Sequence, residues 1–518
     1  MDTRNRTTGT TGFQTSRRGF LGMTSALVLA GALGPVAGSG RAQAQTLAKG
    51  GRIVLGFVGK GVFGPVDPYR SGDPVVTLLN QGVVFEGLTR LDNKGVLENL
   101  LAESVEAEDD TATKWIIKIK PAVKFHNGKE LTAEDVIFSL KKIREDGTVA
   151  RGYLGPISRY EALDPLTVRV TLEAPRNWFP VALAGGYSGM VPADYDQNKP
   201  IGTGPFRIAS LELSQSMSLA RFDSHHGQPA FLDQIEIRPF EEPSALLNGL
   251  YAGQVDVATG IDASLVGEIE GKEEFKLYNS ATGKCYPIHM RADVEPFKEN
   301  KLRQAMRLVL DRDAVVNSAY NGYAKKADDL YSPFDPNYDK SLVRQRDVAK
   351  AKALVEEAGL SGMSIELVMQ EDVATALILA ENAKDIGINV TVTQLDPARF
   401  FNEEFTQRKF HGGDFYPPMP FFMTSSLIDG PNPGIPTLKW TDEEYLEIWK
   451  AANASHDPAD VAAKVKRLQE ILFERGAWII PVFFNELGFY RSTLGGFPEF
   501  DQSGNGMFRA LPTIGFVA

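Results

Sequence analysis

A strand, a helix and a second strand follow one another in the C-terminal half of the chain, and this order constrains the fold more than any other feature. The first strand is predicted at Ile365–Met369, the helix at Val373–Ile386 and the second strand at Ile388–Val392. Two strands joined by a helix pair in parallel, with a right-handed crossover. A further helix is predicted at Asp347–Ala358, just before the first strand. The sequence therefore predicts a mixed α/β protein with a parallel sheet in this half.

Other segments carry the periodicity of strands and helices through the rest of the chain. Strands are predicted at Arg52–Phe57, at Lys114–Ile119 and at Leu166–Leu172. In the last of these, apolar and polar residues alternate, as in a half-buried strand. A long helix is predicted at Pro458–Arg475, and it leads into one strand at Trp478–Phe484. We expect more sheet in the early parts and more strand–helix–strand structure in the second half.

Residues 1–44 have the composition of a leader segment. The pair Arg17 and Arg18 precedes a short apolar stretch, and Ala42 and Ala44 provide small residues after it. A cationic segment, an apolar segment and a small-residue cleavage site make up a secretory signal. An arginine pair followed by Phe-Leu is typical of a twin-arginine signal. We expect cleavage after Ala44 and a mature protein that diffuses in the periplasm.

Charge and cysteine content exclude several classes of protein. The 518 residues contain 55 Lys and Arg against 66 Asp and Glu, a net charge of −11, with no long basic run. A partner held through nucleic-acid phosphates is therefore not expected. The single cysteine, Cys285, excludes an internal disulfide framework and any CxxC metal site.

Motifs of catalysis and cofactor binding are missing from the sequence. It contains no GxSxG elbow, no GxxxxGK[ST] loop and no HExxH helix. The adjacent pair His225 and His226 is expected in a solvated hairpin, where neighbouring strand residues point to opposite faces and rarely share a metal. We predict no catalytic residue, no cofactor and no metal site. A periplasmic hydrolase that acts through paired carboxylates is the alternative from another class.

Five separated segments carry a resemblance to a known family. They are Val84–Thr89, Trp115–Ser139, Ile201–Phe206, Leu250–Asp256 and Pro296–Ala305, the last followed by an Asp-Arg-Asp triplet. In this order and spacing they resemble family 5 of the extracellular solute-binding proteins, which serve ABC importers of dipeptides, oligopeptides and nickel. The resemblance covers nearly all of the chain after the leader.

The resemblance implies an α/β protein with a two-lobed periplasmic-binding-protein-like fold, hinge strands and an inserted extra domain. It implies a first lobe of residues 45–78, 197–270 and 481–518, an inserted domain of residues 79–196, and a second lobe of residues 271–480. A small solute would be enclosed between the lobes, and a membrane permease would recognise the closed form. The expected protein is a periplasmic monomer and not an enzyme. Its expected partners are a small-molecule or peptide ligand and the permease.

One segment bears on the ligand. In peptide-binding members, a Trp-x-x-Asp-Tyr-x-Asp-Pro-like segment supplies an acid for the free amine of the peptide. The matching segment, residues 411–418, keeps that acid as Asp414, but His411 replaces the tryptophan and Pro417 the second acid. Asp414 is equally consistent with a turn residue beside glycines. Amine recognition at this segment therefore remains open.

Several other residues are candidates for the ligand site. Where the family has a Phe-Asn pair, this chain has Met290 and Arg291. Arg291 is either a surface residue in a weak ion pair or a two-point clamp for a carboxylate or phosphate, and we favour the clamp. On a strand His289 would share a face with Arg291. The aromatic candidates for stacking on a ligand are Phe415, Tyr416 and Trp178.

The ligand is therefore predicted only as a class. The first hypothesis is a small polar solute, and among such solutes a peptide is favoured. An oligosaccharide or an opine-like anion is the alternative within the same fold, because the amine motif is altered.

Overall fold

The computed structural model describes residues 46–59, 65–69, 74–146, 150–212, 215–405, 407–413 and 419–518. The predicted signal residues Arg17, Arg18, Ala42 and Ala44 lie outside these residues, and so do the candidates Asp414, Phe415 and Tyr416. Within the described ranges, no helix has both the length and the apolar character that a membrane crossing requires.

A mixed sheet, here called the central sheet, joins segments that are far apart in the sequence. In spatial order its strands are Phe275–Lys284, Val482–Arg491, Val257–Thr259, Arg52–Val58, Gln234–Phe240, Ser216–Arg221 and Phe206–Glu212, and Ala324–Lys326 also pairs with Val482–Arg491. The strand Arg52–Val58 runs parallel to both of its neighbours. Its Ile53 and Leu55 are fully buried. A strand in the middle of a sheet that is covered on both faces buries residues of both faces, which explains why this segment is an apolar run without strict alternation.

A second sheet contains the predicted strand–helix–strand unit. In spatial order its strands are Asn389–Gln394, Ser364–Met369, Phe410–Gly412, Ile288–Met290 and Trp478–Ile479. The first two pair in parallel, and the helix Val373–Lys384 connects them. The predicted parallel unit is confirmed, with ends that differ by at most two residues from those expected.

Smaller sheets and helices complete the described structure. An outer sheet contains Ala102–Ala107, Lys114–Ile119, Thr167–Leu172 and Ile157–Asp164; a hairpin pairs Thr89–Leu91 with Leu97–Asn99; and a terminal sheet contains Leu47–Ala48, Gly515–Val517 and Leu494–Gly495. The α-helices are Pro74–Leu79, Ala133–Asp146, Ala150–Leu154, Phe179–Ala182, Pro243–Tyr251, Val266–Ile269, Asn300–Val309, Arg312–Ala314, Val348–Glu357, Val373–Lys384, Pro397–Arg399, Phe421–Ile428, Glu443–Ala454, Pro458–Arg475 and Gly506–Arg509. Irregular helical turns occur at Ala263–Leu265, Val315–Ala319 and Phe400–Glu404.

The helix Ala133–Asp146 illustrates how local sequence sets an element. The fully buried carboxylate of Asp135 accepts hydrogen bonds from the Thr132 backbone N–H at 3.0 Å and from the Thr132 hydroxyl at 2.8 Å. Its other oxygen accepts the Ala193 N–H at 2.9 Å. An acid three residues after the N-cap satisfies donors that the first helical turn leaves unpaired. Asp135 therefore fixes the helix start and ties it to a distant loop.

Two short connections each join a strand of the central sheet directly to a strand of the second sheet. Phe275–Lys284 of the central sheet is followed by Ile288–Met290 of the second sheet, and Trp478–Ile479 of the second sheet is followed by Val482–Arg491 of the central sheet. The single strand predicted at Trp478–Phe484 is therefore wrong, because it breaks at Ile480 and Pro481. Pro481 has no N–H for a ladder, and the Ile480 N–H donates instead to Asp329 at 3.1 Å. Antiparallel connections that lie side by side form a natural hinge.

A buried polar cluster lies at the end of the helix Phe421–Ile428, whose eight residues are all buried. Asp429 accepts hydrogen bonds from the Tyr445 hydroxyl at 2.7 Å and from the Tyr331 hydroxyl at 3.0 Å. The indole of Trp449 donates to Ser425 at 2.8 Å. Burial outweighs these hydrogen bonds and raises the pKa of Asp429 to about 7.

Candidate ligand-binding site

Three aromatic rings stack at the hinge. Tyr286 lies on the first connection, Phe484 follows the second, and Tyr320 follows the helical turn Val315–Ala319. The Phe484 ring stacks on Tyr286, with centroids 5.1 Å apart and planes at 15°, and on Tyr320, at 5.6 Å and 12°. All three residues are only partly buried. Stacked aromatic faces between two sheets provide a surface for the apolar part of a small ligand.

Two carboxylates lie beside this stack. Glu371 and Asp372 come one residue after the end of the strand Ser364–Met369, at the carboxyl end of the parallel pair. The Tyr286 hydroxyl donates to Glu371 Oε2 at 2.6 Å. Asp372 accepts the Thr375 hydroxyl at 2.8 Å and also accepts a hydrogen bond from the Tyr320 hydroxyl. The ring stack and the carboxylates are therefore one hydrogen-bonded unit.

The environment of Asp372 perturbs its ionisation. Burial raises the pKa of Asp372 to about 7, although hydrogen bonds from Thr375 and Tyr320 oppose the rise. Its backbone is left-handed, with φ +53°. An aspartate in that conformation costs about 1–3 kcal/mol and persists only when its surroundings impose it. A raised carboxyl pKa and backbone strain together are typical of binding sites.

The residues just before the candidates Asp414, Phe415 and Tyr416 lie beside these carboxylates. The Gln370 N–H donates to the Gly412 oxygen at 3.1 Å. Gly413 has φ +87°, and a Cβ there would lie 2.3 Å from the Glu371 nitrogen. Only glycine fits this close approach. Asp414, Phe415 and Tyr416 follow immediately, so their part in the site remains a prediction.

Arg291 forms an ion pair within its own segment. Its guanidinium donates to Asp293 at 2.9 Å and 2.6 Å, and to the backbone oxygen of Gln407 at 3.0 Å. The hydrogen bonds to Asp293 raise the pKa of Arg291. The two-point fork therefore faces a carboxylate of the chain, which a ligand anion would have to displace. The clamp role of Arg291 stays a prediction.

His289 and Trp178 are buried in different places. His289 is fully buried and stacks on its cross-strand partner His411, with centroids 4.6 Å apart and planes at 7°. The Trp178 indole donates to Asn453 at 2.6 Å, and its ring stacks on Phe422 at 6.1 Å. His289 lies on the same strand end as Arg291, whereas Trp178 joins the helix Phe421–Ile428 to the segment at 176–183. Ligand contact by either residue remains a prediction.

Sequence reasoning did not select the residues that form the hinge unit. Glu371 and Asp372 could have been selected from the sequence, because they follow a predicted parallel strand and ligands of open α/β sheets bind beyond the carboxyl ends of such strands. The ring stack had none, since Tyr286, Tyr320 and Phe484 meet only through the hinge topology.

The pair His225 and His226 also differs from the expected geometry. They lie in a turn after the strand Ser216–Arg221 rather than on a strand. The two imidazole Nε2 atoms lie 3.1 Å and 2.9 Å from the two carboxylate oxygens of Glu86. Burial would raise the pKa of Glu86, but these hydrogen bonds outweigh it and lower the pKa to about 2. The expectation that the two rings point to opposite faces is wrong, because the turn directs both to one carboxylate.

The sequence matches an established family. The model of the bacterial extracellular solute-binding proteins, family 5 Middle, matches residues 96–432. The chain belongs to this family. The glutathione-binding protein GsiB of Escherichia coli strain K12 is 26% identical over 468 residues, covering 84% of this chain and 90% of GsiB. The resemblance predicted from the five segments is thereby confirmed.

Solved structures of similar proteins match the fold. The Agrobacterium tumefaciens R10 protein AgaA, in complex with agropinic acid, has a TM-score of 0.78 and 21% identity, covering 90% of this chain and 99% of AgaA. The Helicobacter pylori protein DppA, in complex with the peptide STSA, has a TM-score of 0.79 and 19% identity, covering 91% and 99%. This family 5 protein therefore has the two-lobed α/β fold of periplasmic binding proteins, as predicted. It is the substrate-binding component of an ABC importer.

Proposed function

We propose that this family 5 protein captures a small peptide in the periplasm by binding its free amine at the hinge, and delivers it to a membrane permease. The observation that carries the proposal is the carboxylate pair Glu371 and Asp372, held by the hydroxyls of Tyr286 and Tyr320 beside a three-ring stack. Carboxylates favour an ammonium group, and the rings favour an adjacent side chain or peptide plane.

The relatives support a peptide-like ligand. GsiB is named for glutathione, a tripeptide, and DppA was solved with the peptide STSA. The acid Asp414, retained from the family motif, follows the glycine that packs on Glu371. An ammonium at this place would meet the carboxylates of Glu371 and Asp372 and would offset their mutual repulsion.

A second candidate ligand is an opine-like anion. AgaA was solved with agropinic acid, and this chain has the cation Arg291 at a position where the family resemblance implies an amide. The peptide is favoured over the anion for two reasons. The Arg291 guanidinium already donates two hydrogen bonds to Asp293, and the carboxylates of Glu371 and Asp372 at the hinge attract an ammonium group rather than an anion.

The remaining parts of the proposal follow from this role. We propose that the protein acts as a monomer, is not an enzyme and carries no cofactor for its binding function. The domain boundaries given above and cleavage after Ala44 are retained as parts of the proposal. Family membership supports export and the absence of catalysis.

Calorimetry with matched peptides tests the proposal. Glutathione and short neutral tripeptides should bind the wild type, and their N-acetylated forms should bind at least tenfold more weakly. Glu371→Gln should reduce the affinity for the free amine and narrow the difference between the two forms. Glu381→Gln is the matched control, because Glu381 is an exposed acid on the following helix that pairs with Lys384. Equal affinities of free and acetylated peptides would refute the amine site.

A further inference from the structure

Among the residues that the structure describes, a cluster of metal-ligating groups outside the hinge remains without a function. Glu86, His225 and His226 offer a carboxylate oxygen and two imidazole nitrogens that all lie within 4.8 Å of one another. We propose that these three side chains form a binding site for one divalent transition-metal ion, with zinc the first choice.

The donor atoms have the spacing that a metal requires. The Glu86 oxygens lie 3.1 Å from His225 Nε2 and 2.9 Å from His226 Nε2. Ligand atoms about 2.1 Å from a tetrahedral zinc ion stand about 3.4 Å apart from one another. These two oxygen–nitrogen distances are shorter than that by a few tenths of an ångström, so both pairs would open slightly around the ion. Two histidines and one carboxylate are also a ligand set that zinc uses, with water in the fourth position.

The site is held in place before any metal arrives. Glu86 is 3% exposed, and the Thr203 hydroxyl donates to its Oε2 at 2.9 Å. The backbone oxygen of Glu86 accepts the Met190 N–H at 2.8 Å. A hydroxyl that orients a ligating carboxylate is the usual outer partner of a metal site. The His226 side chain, 14% exposed, leaves a path from solvent.

One contact must change when a metal binds. The Gly227 N–H donates to His225 Nδ1 at 3.2 Å, so the proton of that neutral ring lies on Nε2. Metal ligation through Nε2 moves this proton to Nδ1, and the Gly227 N–H turns away. Gly227 is exposed in a turn, where such a rotation meets little resistance. The bound ion would join the turn after Ser216–Arg221 to the loop that carries Glu86.

Metal titration of protein prepared without a polyhistidine tag tests the proposal. After treatment with EDTA and removal of the chelator, zinc should bind with a stoichiometry of one, and the melting temperature should rise with zinc concentration. Cobalt in place of zinc should give the visible absorption of a tetrahedral complex. His226→Ala and His226→Gln should each weaken zinc binding at least tenfold.

The control is His456→Ala, since His456 is exposed and lies near the backbone of Asp110 rather than in the cluster. It should bind zinc like the wild type. Circular dichroism shows whether both His226 variants fold. If they do not, the cobalt absorption of the wild type still tests the site, because it requires no variant. The proposal is overturned if the wild type binds no zinc at micromolar concentration, or if the folded His226 variants bind as tightly as the control.

Discussion

Replacing Asp429 by asparagine should remove a specific part of the pH dependence of stability. The carboxyl of Asp429 has a pKa of about 7 in the folded protein, against about 3.9 in an unfolded chain. Between these values the folded state binds more protons than the unfolded state, so this group lowers the free energy of unfolding as pH rises. A difference of about 3 pKa units corresponds to about 4 kcal/mol when the carboxyl ionises fully in the unfolded chain. Asparagine keeps an acceptor for Tyr331 and Tyr445 but cannot ionise.

The measurement is urea unfolding of wild type and Asp429→Asn from pH 5 to pH 7, followed by tryptophan fluorescence. The wild type should lose about 2 kcal/mol relative to the variant over this interval, because the unfolded carboxyl is already ionised while the folded one still holds its proton. Asp313→Asn is the control, since the Asp313 side chain is 72% exposed. A difference between wild type and Asp429→Asn that stays constant with pH would refute the burial argument.

Two further substitutions test the hinge packing and the leader. In calorimetry, Gly413→Ala should weaken peptide binding at least tenfold, because the new Cβ would meet the Glu371 backbone. Gly362→Ala is the control and should bind normally, since Gly362 has a similar positive φ but open space around it. An equal loss of affinity in both variants would show that the strain of a positive φ, and not contact with Glu371, weakens binding. Changing Arg17 and Arg18 together to lysine should retain the precursor in the cytoplasm, and normal periplasmic accumulation in cell fractions would contradict the twin-arginine assignment.

Elements set by local sequence could be predicted, and elements set by distant pairing could not. The unit Ser364–Gln394 was predictable because its strands and helix each carry their own period and the crossover rule supplies the pairing. The sequence shows a proline at position 481, but nothing nearby in the sequence shows that the chain passes from one sheet to another there. For the same reason the side-by-side pairing of Phe275–Lys284 with Val482–Arg491 had no local signal.

The candidate site divides in the same way. Glu371 and Asp372 could be predicted from their place after a parallel strand, whereas the stack of Tyr286, Tyr320 and Phe484 requires the hinge to exist first. Arg291 stood out as an unusual cation, but its partner Asp293 lies two residues away in a turn whose shape the sequence does not reveal.

Hydrogen–deuterium exchange with and without a bound tripeptide tests most directly whether the solute is held at the hinge. At a peptide concentration that saturates the protein by calorimetry, exchange should slow at residues 284–286 and 482–485, beside the two connections, and at residues 370–373, which carry the carboxylates. The helix Pro458–Arg475 should exchange at the same rate in both states. Saturated protein with unchanged exchange in those hinge segments would contradict capture of the peptide at this site.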